Sequence, residues 1–600
     1  MFQKTFSCLC CVLTVCILLT ACITEPEEKT AAERFDEFLY QDRAFHQHTA
    51  DFSSPFSMFR NGTGDGQSAE PSVTWEDQYT YPSEEELAWH RQMEEEFKLF
   101  HRSELTPEQQ QSYDIVAFEL GLYQQSLDLW YFKEPLKCSN GLHTQLLIAL
   151  REYALPDEEA VQYYFAYVKA AADLIDQIAA FETIKSQKGM FMSDQAADQV
   201  IEACESLTED VENHFLVTEF PARIAQSNIT DPGKLAYYAL QNVQILEEYV
   251  VAAYRRLIDT IRSLKGTGQS GGLSHCDRGQ EYCEYQLKAM GASGSAQDYI
   301  QQCETIIAEF NTYVENVYRE DSTLFDTYML KYSPDLTPEE TVAFWKEQTA
   351  ADFPELGNDI TYSIQEINED MSSHFSVALY IVPSLENYQQ NTIYINPEYW
   401  QEDTDLPFAT LAHEGYPGHM LQRVLVFSSN LSDYRKELYY HAYTEGWATY
   451  AELYSYRYIE MDRAVRELKV RHQEYEHALN FRIDLGIHYE GWEEQDLANY
   501  IAEHFPWCTQ ETIAYYQSNY QFYANHPLYY APYTAGYLDI KAIKEWYQQQ
   551  TGDSYSDKAF HEAILKNAEA PFSFIQQWMN EELPENDSVY RTDSFASSAA

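Results

Sequence analysis

A mainly α-helical protein with one small β-sheet is the fold class that the sequence predicts, and three observations predict it. Helix-start signals stand ahead of long amphipathic runs over most of the chain. Runs with strand character are few and confined to one short region. A histidine-glutamate motif of the metal-binding kind follows directly after that region. The composition agrees with a packed body: of 600 residues, 45% are hydrophobic and 22% charged, which is ordinary for a globular protein and not for a disordered one.

Taken in order, the chain opens with Lys4, an apolar stretch from Phe6 to Leu19, and then Leu19-Thr20-Ala21-Cys22. A short positive region, an apolar core and small residues before a cut make a secretory signal over residues 1–21. The apolar run is short of the roughly 20 residues that span a bilayer, which disfavours a transmembrane anchor. The placement of Cys22 resembles a bacterial lipobox, which implies a lipidated cysteine followed by a polar tether over residues 22–33. One acylated cysteine would hold the chain at the extracytoplasmic face of the bacterial cell envelope with no spanning helix. Four cysteines leave with the signal, and Cys138, Cys204, Cys276, Cys283, Cys303 and Cys508 remain in the mature chain. An oxidising compartment permits pairing, the 276–303 cluster being the natural place, although a chain of this size does not need it. None of the six forms a Cys-x-x-Cys pair, so a cysteine zinc site is not expected.

Ser83-x-x-Glu86 is a capping box ahead of Trp89, Met93, Phe97 and Phe100, a stripe at helical spacing. Thr106-Pro107-x-Gln109 and Thr337-Pro338-x-Glu340 each place a cap, a proline at the first helical position and a returning side chain. The amphipathic runs 158–182, 235–263 and 297–318 read as packed helices without chemistry of their own. Asn61–Gly66 is a loop, and the glycine-rich 265–272 is the natural junction between an N-terminal helical subdomain, 34–264, and a catalytic subdomain, 273–583. Val377–Val382 and Thr392–Ile395 are short β-prone runs separated by a polar turn. The tail, 584–600, is rich in Ser, Asp and Ala and is expected to be flexible.

Charge narrows the partners. Asp and Glu number 96 against 39 Lys and Arg, a formal net charge of −57. That field repels nucleic-acid phosphates and an anionic lipid surface, so neither is expected as a partner beyond the lipid anchor itself. With 49 tyrosines in the chain, a tyrosine by itself is more often a core residue with a polar tip than a functional group.

The informative segment is Leu411-Ala412-His413-Glu414-Gly415-Tyr416-Pro417-Gly418-His419. The familiar zinc signature sets two histidines at i and i+4 on one helical face, with a glutamate beside the first as general base. Here the second histidine falls at i+6, about 240° round an undisturbed helix and unable to share an ion with the first. Pro417 removes a backbone donor and Gly418 tolerates unusual dihedrals, so the helix can end there and His419 swing back. A third ligand is expected from His441-Ala442-Tyr443-Thr444-Glu445-Gly446-Trp447-Ala448-Thr449-Tyr450-Ala451-Glu452. Glu445 is the first choice, with His441 and Glu452 one and two turns away as groups that orient the ligands. The alternative makes His441 a ligand in place of His419. Either way three protein ligands would hold one Zn²⁺ per chain.

These residues carry a resemblance. His-Glu-Gly-Tyr-Pro-Gly-His followed by Glu-Gly-Trp-Ala-x-Tyr-Ala-Glu is similar to the bacterial DUF885 family, grouped with the gluzincin-type zinc peptidases. Further blocks match from about Gly279 to Pro571: Gly279–Tyr282, Tyr380–Ser384, Thr392–Asn396, Arg482–His488 with Trp492, and Phe560–Leu565. The resemblance implies a large helical gluzincin-like fold and hydrolysis of oligopeptides. One departure stands out: where the family has Pro-Gly-Gln ahead of Tyr-x-x-Gly, this chain reads Pro527-Leu528-Tyr529 ahead of Tyr533-Thr534-Ala535-Gly536.

The chemistry such a site needs assigns the remaining roles. Glu414 takes a proton from the attacking water and gives it to the leaving amine. Tyr533 and His488 are the expected oxyanion donors. The strand bearing Tyr394 and Asn396 is expected to align an extended peptide by edge pairing, and Arg482 either binds a substrate carboxylate or pairs with an acid such as Asp484. Two other classes stay open: hydrolysis of non-peptide amides or esters, and a surface binding lipoprotein that lost turnover. The intact Glu414 speaks against the second, since binding alone needs no general base.

Overall fold

In the computed structural model, the residues described are 29–583 apart from 50–58, 62–72, 76–78, 138–140, 269, 368–375, 402–403 and 506–507. The expected signal segment, Cys22, most of the tether, most of the Asn61–Gly66 loop, Cys138 and the tail lie outside them. The described chain is mostly helical, with a two-stranded hairpin and one three-stranded sheet.

The helix starts read from the sequence are where the structure has them. α1 (Glu84–Phe97) begins at the Ser83 box, with Ser83 accepting from the Glu86 amide and Glu86 from the Ser83 amide. Met93, Phe97 and Phe100 of its stripe are buried, and Trp89 is half-buried against them. α2 (Pro107–Asp128) starts at the Thr106–Gln109 box. α3 (Glu158–Gln187), α4 (Ala296–Glu320) and α5 (Pro338–Thr349) account for the remaining predicted starts and runs. The run 235–263 is broken once, by a π-helical turn at Leu246–Val251.

The apolar side chains gather into two large clusters. One is built on α3, with Tyr164, Val168 and Ile175 against Val250, Leu257 and Ile261. The other joins α1 and α2 to helices that follow Leu273, and it contains Trp345, Phe408, Leu411, Trp447 and Trp578. The metal motif is therefore embedded in the second, larger core.

The hairpin comprises β1 (Phe59–Asn61) and β2 (Val73–Trp75). The sheet comprises β3 (Thr361–Glu366), β4 (Ala378–Ile381) and β5 (Gln390–Ile395), in the order β3-β5-β4. β3 runs parallel to β5 and β4 antiparallel to it. β3 escapes a hydrophobicity reading because Thr-Tyr-Ser-Ile-Gln-Glu is largely polar and lies mostly exposed. Its presence corrects one expectation: β5 is the middle strand, paired on both sides, so Tyr394 and Asn396 cannot align a peptide by edge pairing. The edge strands are β3 and β4, and β4 is the one that meets Glu414. The Asn396 amide bonds Val377 O at 3.0 Å, so by alternation Ala378 and Tyr380 turn their amides and carbonyls to that edge.

After the sheet come α6 (Leu406–Glu414), α7 (His419–Ser428), α8 (His441–Ser455), α9 (Arg463–Leu485), α10 (Gln510–Asn525) and α11 (Ala531–Thr551). The five described cysteines are free thiols, including all three of the 276–303 cluster. Among the described residues no helix is long and apolar enough to cross a membrane.

Candidate metal centre

α6 carries His413 and Glu414 and ends there. The Gly415 amide closes a last ordinary turn on Leu411 O at 3.0 Å, and the Gly418 amide reaches back six residues to Ala412 O at 2.9 Å. Pro417, joined to Tyr416 by a cis bond, offers no donor between them. α7 then restarts at His419 itself. The break turns the second imidazole toward the first, with ring centroids 4.8 Å apart and planes at 88°. Only glycine fits at 418, because a β-carbon there would lie 1.8 Å from His413 O. Trp447, fully buried on α8, donates its indole N–H to Pro417 O at 3.0 Å and so ties the broken turn to the next helix.

α8 supplies the third group. Glu445 Oε2 lies 3.5 Å from His413 Nε2 and 3.4 Å from His419 Nε2, and the three donor atoms fall within 4.8 Å of one another. Those separations exceed a charged N–H···O contact of about 2.8 Å. They match the roughly 3.4 Å edge between neighbouring ligands of a tetrahedral ion with bonds of about 2.1 Å. Two imidazoles and a carboxylate converging on an ion-sized gap fit a metal, and His413, His419 and Glu445 are the residues that could hold it.

The supporting groups are present. Glu452 Oε2 is 3.1 Å from His413 Nδ1, which fixes the tautomer that points Nε2 at the gap. His441 Nε2 is 3.6 Å from Glu445 Oε1, the oxygen turned away from the other two imidazoles, and His441 stands outside the three-residue group. His419 Nδ1 is buried with no hydrogen-bond partner among the described residues. Burial opposes charge on Glu445, but the neighbouring imidazoles of His419, His413 and His441 outweigh it and hold this carboxylate well below the ordinary range. Replacing Glu452 by glutamine is expected to weaken metal affinity about 10- to 100-fold by loosening His413. Competition against a chelating dye reads that shift, and an unchanged affinity would deny Glu452 its orienting role.

Glu414 lies beside the gap and is not one of the three. Its Oε2 accepts the Tyr380 amide of the β4 edge at 2.8 Å, and its Oε1 has no protein partner among the described residues. Burial raises its pKa, and His419 and His413 draw it part of the way back. Tyr533 enters from α11, its ring 6.4 Å from that of His413. The charge of Glu445, then burial, pushes its hydroxyl well above the usual range, so it remains a donor. α11 comes this close because α8 and α11 cross at two glycines: a β-carbon on Gly446 would lie 2.5 Å from the Gly536 α-carbon.

Several expected site residues prove to be committed elsewhere. His488 is fully buried, accepts the Leu273 amide on Nδ1 at 3.0 Å, and pairs Nε2 with Tyr523 O at 2.9 Å. Burial pushes it down to about 4, so it is a neutral strut with no N–H left for a substrate oxyanion. Arg482 is held by Glu304 at 2.6 Å and Glu490 at 2.8 Å, not by Asp484, and stacks over Trp492 at 4.3 Å. Tyr394 points its hydroxyl at Glu152, 3.4 Å away, and Asn396 is fully buried, its Oδ1 accepting the Glu398 amide at 3.2 Å.

Two contributors have no local sequence signal. The Tyr380 amide acts through its backbone, which a side-chain motif cannot reveal. A buried Arg423–Glu569 pair fixes the start of α8, with Glu569 accepting the Tyr440 amide at 2.7 Å. Its members are 146 residues apart, so no spacing links them.

Comparison with known proteins gives a family and a fold. The model of a family described as bacterial protein of unknown function, DUF885, matches residues 61–579. A crystal structure of a candidate lipoprotein from Colwellia psychrerythraea is 16% identical, covers 92% of this chain and 99% of its own, and superposes with a TM-score of 0.74. A candidate lipoprotein of unknown function from Shewanella oneidensis is 14% identical, with 92% and 100% covered and a TM-score of 0.60. A candidate oligoendopeptidase F from Bacillus anthracis reaches a TM-score of only 0.29 at 14% identity, with 84% and 96% covered, too low to bear on function. No curated protein matches the sequence.

Proposed function

The chain belongs to the DUF885 family, whose description assigns no activity, and from its site we propose that it is a gluzincin-type zinc peptidase acting on extracytoplasmic oligopeptides. The observation that carries this reading is the Glu414 carboxylate, with one free oxygen, beside three donors set at ligand spacing. His413, His419 and Glu445 would hold the ion, and a zinc ion so bound supplies Lewis acidity and makes a water acidic near neutrality.

The rest is work for the chain's own residues. Glu414 Oε1 receives the proton of the attacking water and passes it to the leaving amine, while the Tyr380 amide keeps Oε2 in place. Tyr533 offers its O–H to the oxygen that becomes negative in the tetrahedral state. The Ser376 hydroxyl donates to the Ala378 carbonyl and Glu414 accepts the Tyr380 amide, which leaves the Ala378 amide and the Tyr380 carbonyl of the β4 edge for strand addition by an extended peptide. Leu19-Thr20-Ala21-Cys22, together with the lipoprotein descriptions of both solved relatives, supports lipid attachment at Cys22 and a place on the outer side of a bacterial membrane.

Metal content of the soluble chain starting after Cys22 is the test. About one zinc per chain is expected, lost in His413→Ala and Glu445→Gln and retained in His441→Ala. A metal-free protein from non-chelating buffer, or loss in His441→Ala with retention in His419→Ala, would sink the ligand assignment. Blocked peptides run beside simple esters then decide whether amide hydrolysis is the activity.

A further inference from the structure

Between α10 and α11 the chain turns through residues 526–530, and the turn is strained. Leu528 has φ +55° with its side chain buried, a left-handed backbone state that residues with a β-carbon rarely adopt. What holds it is Asp484 on α9, itself fully buried, which accepts the Leu528 amide at 2.9 Å and the Tyr530 amide at 3.1 Å. The residue between those two clamped amides is Tyr529, and it projects outward, 44% exposed.

The direction of that projection gives it meaning. The Tyr529 ring is 6.5 Å from that of Tyr533, which is 6.4 Å from His413. On its other side, Phe522, also partly exposed, meets it edge-on at 5.7 Å. Aromatic surface therefore runs without a break from a metal-ligand imidazole to solvent. The turn is over-determined by a buried carboxylate, and the ring it fixes is left wet beside the reaction centre. Strain of this kind persists where the surroundings enforce it and collects at ligand clamps. Aromatic rings so placed gain by stacking on another ring and by removing apolar area from water.

We infer that Tyr529, with Tyr533, forms an aromatic wall beside the candidate metal centre that selects peptides with an aromatic or bulky apolar side chain next to the scissile amide. Tyr529 is thus a specificity-determining residue, held in place by the Asp484 clamp. The inference rests on the peptidase reading, so its test is arranged to fail separately.

The probes are paired blocked peptides that differ only in Phe or Ala, placed on either side of the central amide in turn. Their binding to the zinc-loaded Glu414→Gln protein is measured by calorimetry, and their hydrolysis by the parent protein is followed in parallel. At one of the two positions the Phe peptide is expected to bind about tenfold tighter than its Ala partner. Adding Tyr529→Gln should bring that ratio to about one, and Tyr529→Phe should keep it. A ratio near one from the outset, a tenfold ratio that survives Tyr529→Gln, or no binding of either peptide would overturn the inference. A ratio that behaves as expected without any hydrolysis by the parent would sink the peptidase reading and leave the aromatic wall standing. Hydrolysis without the ratio would do the reverse.

Discussion

Replacing Glu414 by glutamine is expected to slow peptide hydrolysis on the order of 10²- to 10⁴-fold, with the metal retained. Glutamine keeps a carbonyl oxygen that can accept the Tyr380 amide, so the β4–α6 contact survives. What it puts in place of the free Oε1 is an NH₂ group, which cannot take a proton from water. The three donors at the gap are untouched, since Glu414 is not one of them. Stability should not fall either, because burial already opposes charge at this position. Turnover of a blocked peptide alongside metal analysis of the same preparation checks both halves. Activity within tenfold of the parent would move the general base to another group.

The second large effect is expected from Gly536→Ala. A β-carbon there would lie 1.9 Å from Ala442 O and 2.8 Å from the Gly446 α-carbon. Both obstacles are backbone, so no side chain can swing away, and α8 and α11 must separate. Overpacking at such a contact costs about 3 kcal/mol. The damage should be functional as well, because α8 carries Glu445 and α11 carries Tyr533. A lower denaturant midpoint, weaker metal binding and a lower kcat are expected together. A variant as stable as the parent, with unchanged metal affinity, would show that the two helices can part without disturbing the centre.

How much of this was legible in the sequence depended on how local each signal is. Ser83, Thr106 and Thr337 announce their helices because a cap and its returning side chain lie three residues apart. The His413-Glu414 pair is equally local, and Pro417-Gly418 told where the helix breaks. His488 and Arg482 share a block that the family resemblance marks, yet their partners, Leu273 and Glu304, are 215 and 178 residues away. Without those partners a buried strut reads as a free functional group. β5 looked like an edge only because β3, polar and exposed, gives no hydrophobic pattern. At Leu528-Tyr529 the family's Gly-Gln was visibly absent. Only the backbone explains the family glycine, since φ +55° suits it, and only the fold shows where the extra tyrosine points.

The indole bond from Trp447 to Pro417 O bears on how the site would take up an ion. In small zinc domains the ligands are disordered until the metal gathers them, and metal affinity is folding free energy. Here protein groups alone fasten the broken turn to α8, and the crossing at Gly446 and Gly536 does the same for α11. The ordering entropy of the ligand cage is therefore lost when the chain folds, not when the ion arrives. Metal exchange would then be a local event within a standing framework, and different divalent ions would compete for it through bond preference and supply, with the fold indifferent to which of them wins.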